Sequence, residues 1–265
     1  MNQEILMRIF LIVMTTFLFV AIVVPFIKKI AFHVEAVDIP NKRKVHTKPM
    51  PRLGGLGIYC GFLLGYMLFG QHSETMNSIL IGSFIIILTG VMDDIKPLKA
   101  STKFIGQAIA ALVIVFYGNI ILKDVSAFGF YISFDVLSYP LTIIFILGCI
   151  NCMNLIDGLD GLASGISSIY FLTIGIIATI NGSVGLDLVL TFVMLGSTLG
   201  FLVHNFYPAS IFMGDSGSMF LGFIIAVIAL LGFNINVFRK FLVKYSFWGL
   251  KDGLYDKKYS LLYVK

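Results

Sequence analysis

Eight stretches of 18 or more residues pass without a single Asp, Glu, Lys or Arg, and no other feature constrains the chain as much. They are residues 9–27, 53–71, 75–92, 104–122, 136–156, 161–186, 188–214 and 216–238. A helix needs roughly 17–25 predominantly apolar residues to cross a bilayer. The pattern therefore predicts an all-α, polytopic transmembrane bundle of about eight spans. Composition agrees: the 265 residues are 58% hydrophobic and 12% charged, against about 25% charged in a soluble domain, and the mean hydropathy is +0.96. The first run is too long for a signal-peptide core, and its basic pair, Lys28 and Lys29, follows it instead of preceding it. It reads as a first membrane helix.

The connecting segments set an orientation. Lys28, Lys29, Lys42, Arg43, Lys44, Lys48 and Arg52 lie between runs one and two, and Lys96, Lys99 and Lys103 between runs three and four. The connections after runs two, four and six hold only Lys123. By the positive-inside rule the N-terminus is outside, and the ends of runs one, three, five and seven are cytoplasmic. Within the outer connection, Phe128, Phe130, Ile132 and Phe134 alternate with smaller or more polar residues, which predicts a short amphipathic hairpin. Residues 239–265 carry seven Lys or Arg and no spanning run. A tail that basic, emerging outside, conflicts with the charge rule. We therefore divide the chain into a membrane core, 1–238, and a divergent tail, 239–265, expected to be non-native or disordered.

Some functions are excluded. The basic residues lack stacking aromatics and flank apolar spans, so nucleic acid is not a partner. Cys149 and Cys152 form a C-x-x-C inside an apolar run without a second pair. They and Cys60 read as core packing. His33 and His72 read as incidental, and His204 as a weak site candidate.

The acids are distributed unevenly. Asp93 and Asp94 close run three, Asp157 and Asp160 follow run five, and Asp215 follows run seven. Parity puts all five on one side, with Asp38 nearby in the first basic loop. Carboxylates are costly in the membrane, about 2.5–3.5 kcal/mol at a helix centre, and are seldom idle there. In Asn151-x-x-Asn154-x-x-Asp157-x-x-Asp160 polar groups recur every three residues, which puts neighbours on one helical face. Oxygen donors without His or Cys suit a hard cation. Mg²⁺ is favoured because it takes one or two protein carboxylates plus substrate phosphates, with Mn²⁺ as its substitute. The Gly-flanked turn at Gly214-Asp215-Ser216-Gly217 could offer backbone N–H groups to a phosphate. Phe212 beside it could stack a base or anchor at the interface. The loop holding Lys44, His46 and Arg52 serves topology and lipid attraction, a phosphate clamp, or both.

Taken together, Asp93-Asp94, Asn154-Leu-Ile-Asp157-Gly-Leu-Asp160-Gly and Phe212-Met-Gly-Asp215-Ser-Gly resemble the cytoplasmic signatures of the polyprenyl-phosphate N-acetylhexosamine-1-phosphate transferases, glycosyltransferase family 4. Lys103-Phe104-x-x-Gln107 and Arg43-Lys-Val-His46-Thr-Lys-Pro with Gly54-Gly55 match as well. The first loop is closer to the branch that starts teichoic-acid, O-antigen and related glycans from UDP-N-acetylglucosamine. The phospho-N-acetylmuramoyl-pentapeptide transferase of peptidoglycan synthesis is the alternative. The resemblance implies transfer of N-acetylhexosamine-1-phosphate from a UDP-sugar to undecaprenyl phosphate, with release of UMP, at the cytoplasmic face of a bacterial plasma membrane. It implies Asp215 and Asn154 as Mg²⁺ ligands, and Asp93 and Asp94 as catalytic residues that position the acceptor phosphate or supply a base. Asp157, Asp160, Phe212, Lys44, His46, Arg52 and Lys103 would bind the nucleotide-sugar and phosphates. A second copy of the chain is a further candidate partner.

The resemblance stops near Phe233, whereas the family continues with more spans and a His- and Arg-rich loop. No His-x-His occurs in this chain. The remaining residues are expected to reflect a truncated or frameshifted reading frame, or a genuine short paralogue. Two competing expectations follow: an inactive remnant, and an ion-coupled transporter. The position of the acids at run ends, not at the bilayer midplane, counts against the transporter.

Overall fold

A computed structural model describes residues 3–40, 49–127, 130–183 and 185–234, and every structural statement below concerns these residues. The chain forms eight helices: α1 (Gln3–His33), α2 (Gly54–Phe69), α3 (Glu74–Ile95), α4 (Ala100–Leu112), α5 (Ser138–Ile156), α6 (Leu162–Ile180), α7 (Leu186–Asn205) and α8 (Gly214–Asn234). α4 runs on through a π-helical turn at Val113–Tyr117. Seven helices are long and apolar enough to cross a membrane. The predicted polytopic α-helical bundle is therefore present. α2 is the exception, because its 16 residues extend only about 24 Å at 1.5 Å per residue. Its inner face is glycine-rich, and Gly57, Gly61 and Gly65 are all buried.

α7 and α8 form the centre. α7 packs on α1, α2 and α6, while α8 is surrounded by α2, α3 and α5. The interior holds Phe62, Phe201, Phe220 and Phe223, all fully buried, and Tyr59, Phe62 and Phe220 meet as an aromatic trio with ring centroids 5.4–5.9 Å apart. Large apolar side chains such as Phe10, Ile22, Phe84 and Ile169 point outward. On a membrane bundle such a surface is the lipid face.

Local chemistry sets the helix ends, and it differs from the charge pattern. The predicted runs 161–186 and 188–214 stop as helices at Ile180 and Asn205. Gly182, at φ +73°, ends the first, and Phe206, with Tyr207-Pro208 behind it, ends the second. These breakers carry no charge. α1, by contrast, continues six residues past the predicted end at 27 and carries Lys28 and Lys29 on its last turns. Ser73 starts α3, its hydroxyl accepting from the Met76 N–H at 3.0 Å.

The predicted outer hairpin is present as β3 (Asp124–Ala127) paired antiparallel with β4 (Phe130–Ser133). An unpredicted pair, β1 (Val37–Asp38) with β2 (Met50–Pro51), brackets the first basic loop. Of the cysteines, Cys152 is exposed on α5, not packed in the core as expected, while Cys60 and Cys149 are half-buried. Lipid solvates a thiol as readily as an apolar core does, so the sequence did not separate the two. The tail 239–265, with Lys44 and His46, lies outside the described residues.

Candidate active site

Three chain-distant segments meet at one end of the bundle. The first is the passage Pro51 to Gly55, from the end of β2 into the first turn of α2. Its backbone pairs with the turn before α8: Phe212 N–H donates to Pro51 O (2.8 Å), Gly54 N–H to Phe212 O (3.0 Å) and Gly55 N–H to Met213 O (2.8 Å). Only glycine fits the next contact, because a Cβ on Gly55 would overlap the Gly217 backbone. Gly214 sits at φ +75°, and a Cβ there would meet the Arg52 carbonyl.

The second segment is the end of α3. Asp94 is buried, and its carboxylate accepts the N–H of Asp215 (2.8 Å) and of Ser216 (3.0 Å). A carboxylate on the free N–H groups of a helix start satisfies them and complements the helix dipole. Asp94 thus caps α8 from another helix. Asp93 accepts from Leu98 N–H at 2.7 Å and holds the turn into α4. That turn delivers Lys103, whose Nζ reaches Asp215 Oδ2 at 2.8 Å and Asp93 Oδ2 at 3.2 Å. Arg52 completes the cluster, its guanidinium 3.6 Å from Asp94 Oδ1, 3.6 Å from Asp215 Oδ1 and 3.9 Å from Asp38 Oδ1. It serves several acids loosely instead of gripping one bidentately.

The third segment is the turn after α5. Asp157 caps that helix and is half-buried. Burial, and then the negative charges of Asp215 and Asp94, push its carboxyl up to about 7, against a partial opposing effect of Arg52. Asn154, one turn earlier, donates its Nδ2 to Ser218 Oγ at 2.9 Å. That leaves the amide oxygen, an acceptor, available to a cation. Asp160 and Asn205 tie this turn to the next: Asp160 Oδ2 accepts from Ala209 N–H at 3.0 Å, and Asn205 Oδ1 accepts from Gly161 N–H at 3.2 Å.

Asp93, Asp94, Asp157, Asp215, Arg52 and Lys103 are thus brought together, with Asp38 at the edge. Five carboxylates face two cations among the described residues, so the site has an excess of negative charge. That excess and the all-oxygen donor set fit a hard divalent cation. Among the described residues no three His, Cys, Asp or Glu side chains gather into a metal cage. Lys103 and Arg52 stand between the carboxylates instead. A cation whose remaining ligands come from substrate phosphates fits this arrangement, whereas one needing a full protein cage does not.

Sequence reasoning missed Asn205, which sits in a string that reads as the tail of a span. His204 proved structural, its Nε2 lying 2.8 Å from the Ala21 carbonyl of α1. Gln107 lies beside the site, where its Oε1 accepts from Asn151 Nδ2 at 2.9 Å.

Fold and site define a polytopic helical membrane protein with a cluster of acids and bases at one helix end. Residues 76–233 match the family Glycosyl transferase family 4. The chain is 45% identical over 241 residues to a probable undecaprenyl-phosphate N-acetylglucosaminyl 1-phosphate transferase of Bacillus subtilis (strain 168), over 89% of this chain and 66% of the relative. It is 34% identical over 216 residues to a decaprenyl-phosphate N-acetylglucosaminephosphotransferase of Mycobacterium leprae, 74% of this chain and 54% of that one. A Salmonella typhi undecaprenyl-phosphate alpha-N-acetylglucosaminyl 1-phosphate transferase is 28% identical over 213 residues, 78% of this chain and 58% of the relative. The chain belongs to glycosyl transferase family 4. It spans about two thirds of the length of the Bacillus relative and little more than half of the other two.

Proposed function

We propose that the chain transfers N-acetylglucosamine-1-phosphate from its UDP derivative to undecaprenyl phosphate, at the cytoplasmic face of a bacterial plasma membrane. The observation that carries this is the meeting of Asp93, Asp94, Asp157 and Asp215 with Lys103 and Arg52 at one end of the bundle. The names of the relatives supply the substrate class, and the Lys- and Arg-rich connections of the sequence support the side.

An oxygen of the lipid phosphate forms a bond to the sugar-bearing phosphorus. The bond from that phosphorus to the bridging oxygen breaks, and UMP leaves with the electron pair. Both reactants are anions, so their mutual repulsion is part of the barrier. Lys103 and Arg52 offset it by holding phosphate oxygens once substrate competes for them with Asp93, Asp94 and Asp215. Asp215 and Asn154 would hold Mg²⁺, with Mn²⁺ as substitute, and Asp157 would complete or orient that shell. Bound there, the cation supplies charge neutralisation of the diphosphate and of the UMP leaving group. Asp93 positions the acceptor, and Asp94, both of whose oxygens accept backbone N–H groups of α8, acts by holding Asp215 in place. A lipid phosphate with a second pKa near 6 is mostly ionised at neutral pH, so no strong base is required. Phe212, on the turn that leads into α8, would stack the uracil. Lys44 and His46 join as phosphate contacts from the first loop.

Two tests follow. Membranes containing the chain should exchange labelled UMP into UDP-N-acetylglucosamine, dependent on both divalent cation and undecaprenyl phosphate. No exchange above control membranes, in a preparation where the protein is folded, rejects the assignment for this chain. The second test is pH. A carboxyl at about 7 is half protonated at neutral pH, and a cation binds its ionised form. Divalent affinity should therefore fall as pH drops from about 8 to about 6, approaching ten-fold per pH unit below the pKa. In the Asp157→Asn variant the dependence should flatten. An unchanged slope in that variant means that another group controls the binding.

A further inference from the structure

Arg8, on the second turn of α1, has no acid to answer it. Among the described residues no carboxylate pairs with its guanidinium. Its hydrogen bond there is long, 3.4 Å from Nη2 to the Phe69 carbonyl at the end of α2. A cleft of about 160 Å³ opens between Arg8, Gln71, His72, Ser73 and the first residues of α7, Gly185 and Leu186. That is several times the room one water needs. α3 starts at this cleft and has 22 residues; α7 starts there too and has 20. At 1.5 Å per residue both are about 30 Å long, the thickness of a hydrocarbon core. Both end near the acidic cluster, so Arg8 stands at the opposite membrane surface. Nearby acids are engaged elsewhere or outside the cleft wall. Asp187 is 4% exposed, and Ser183 Oγ donates to its two oxygens at 2.9 and 2.7 Å. Glu74 does not line the cleft. Beside it, sharing Arg8 and Val189, lies a shallow furrow of about 30 Å³ walled by Ile5, Ile9, Ile12 and Leu188. Ile5, Ile9 and Ile12 share one face of α1, and the furrow follows that face between α1 and α7.

We propose that this cleft and furrow bind one anionic glycerophospholipid of the leaflet opposite the acidic cluster, its phosphate on Arg8 and an acyl chain along Ile9, Ile12 and Leu188. A guanidinium presents its N–H groups in a planar fork that matches phosphate oxygens. The start of α7 adds the positive end of a helix dipole to the same wall. A free phosphate would use the cleft and leave the furrow idle, whereas a lipid uses both. A headgroup carrying an ammonium would set a second cation against Arg8, so a headgroup of net negative charge fits better. The bound lipid would tie α1, the α2–α3 connection and α7 together at that surface. The site is independent of the transfer reaction at the other end of the bundle.

The test uses the full chain in detergent, titrated with phosphatidylglycerol and followed by native mass spectrometry. One lipid should bind more tightly than any further ones. Arg8→Gln should weaken that first binding about ten-fold, the scale of a lost hydrogen bond to a charged group. Arg8 is exposed, so the variant should fold, and an unchanged melting temperature in lipid-free detergent checks this. Lys123→Gln removes another exposed cation, at the end of the connection that follows α4, and should leave the first binding as in wild type. Equal losses in the two variants, or none in Arg8→Gln, would mean diffuse attraction without a site. Phosphatidylethanolamine should bind at least several-fold more weakly than phosphatidylglycerol, and equal affinity would overturn the anionic headgroup. Glycerol 3-phosphate carries the phosphate without the chains. If it displaces the lipid at matching concentration, the cleft holds a free anion and the lipid assignment is wrong; failure to compete supports the furrow's part.

Discussion

Replacement of Asp215 by asparagine is expected to lower sugar-phosphate transfer roughly 10²–10³-fold, the scale on which a single preorganised electrostatic contact acts in an active site. Asn keeps the size and one acceptor oxygen but removes the charge. Asp215 is the carboxylate that Lys103 (2.8 Å) and Arg52 (3.6 Å) share, and it stands at the first turn of α8, where Asp94 holds its N–H. Nothing in that backbone bond depends on the Asp215 side chain, so the bundle should keep its thermal stability while its rate falls. Initial rates at saturating UDP-N-acetylglucosamine, measured with melting of the detergent-solubilised protein, check both halves. Transfer within a few-fold of wild type would remove Asp215 from the chemistry.

The second large effect concerns packing. Gly55→Ala should destabilise the protein by about 3 kcal/mol, the upper part of the range for overpacking a filled interior, and should lower the yield of folded protein. The reason is the nature of the obstacle. A methyl at Gly55 meets the backbone N and Cα of Gly217, not the end of a side chain that could rotate away. α2 and α8 would have to part, and the separation would pull Pro51 and Arg52 off the Phe212 turn. Gly148 is a control on α5, since nothing lies within 4 Å of a Cβ placed there, and Gly148→Ala should be nearly neutral. Comparable melting temperatures for the two variants would refute the close approach.

How much of this was legible in the sequence varies by residue, for physical reasons. Transmembrane runs show themselves because lipid excludes charge, so the number of helices was readable. Their ends were less so: Gly182 and Pro208 stop helices without any charge, and a charge-free run continues past them. The acids could be read as a group because carboxylates at run ends are rare and parity put them on one side. Their division of labour could not. That Asp94 is spent on two backbone N–H groups of α8, and that Lys103 bridges Asp93 and Asp215, are facts of three-dimensional approach. Asn205 was hidden for a related reason. A buried, hydrogen-bonded amide looks in sequence like any polar residue at a span boundary. β1 and β2, two residues each, are too short for any periodicity to announce them.

The central place of α7 and α8 has a consequence for how the bundle comes to exist. They follow α1–α6 in the chain, yet α1, α2, α3, α5 and α6 each pack largely against one of them. In a membrane, helices insert first and associate afterwards. The early helices therefore enter the bilayer before the partners that organise them have been synthesised, and their inner faces wait in lipid. Small inner residues such as Gly57, Gly61 and Gly65 of α2 make that wait tolerable, because they expose no large polar surface. Assembly of the described bundle then waits on α7 and α8, and a ribosome stalled before α7 should leave helices that are inserted but without their central partners, open to the cell's membrane proteases.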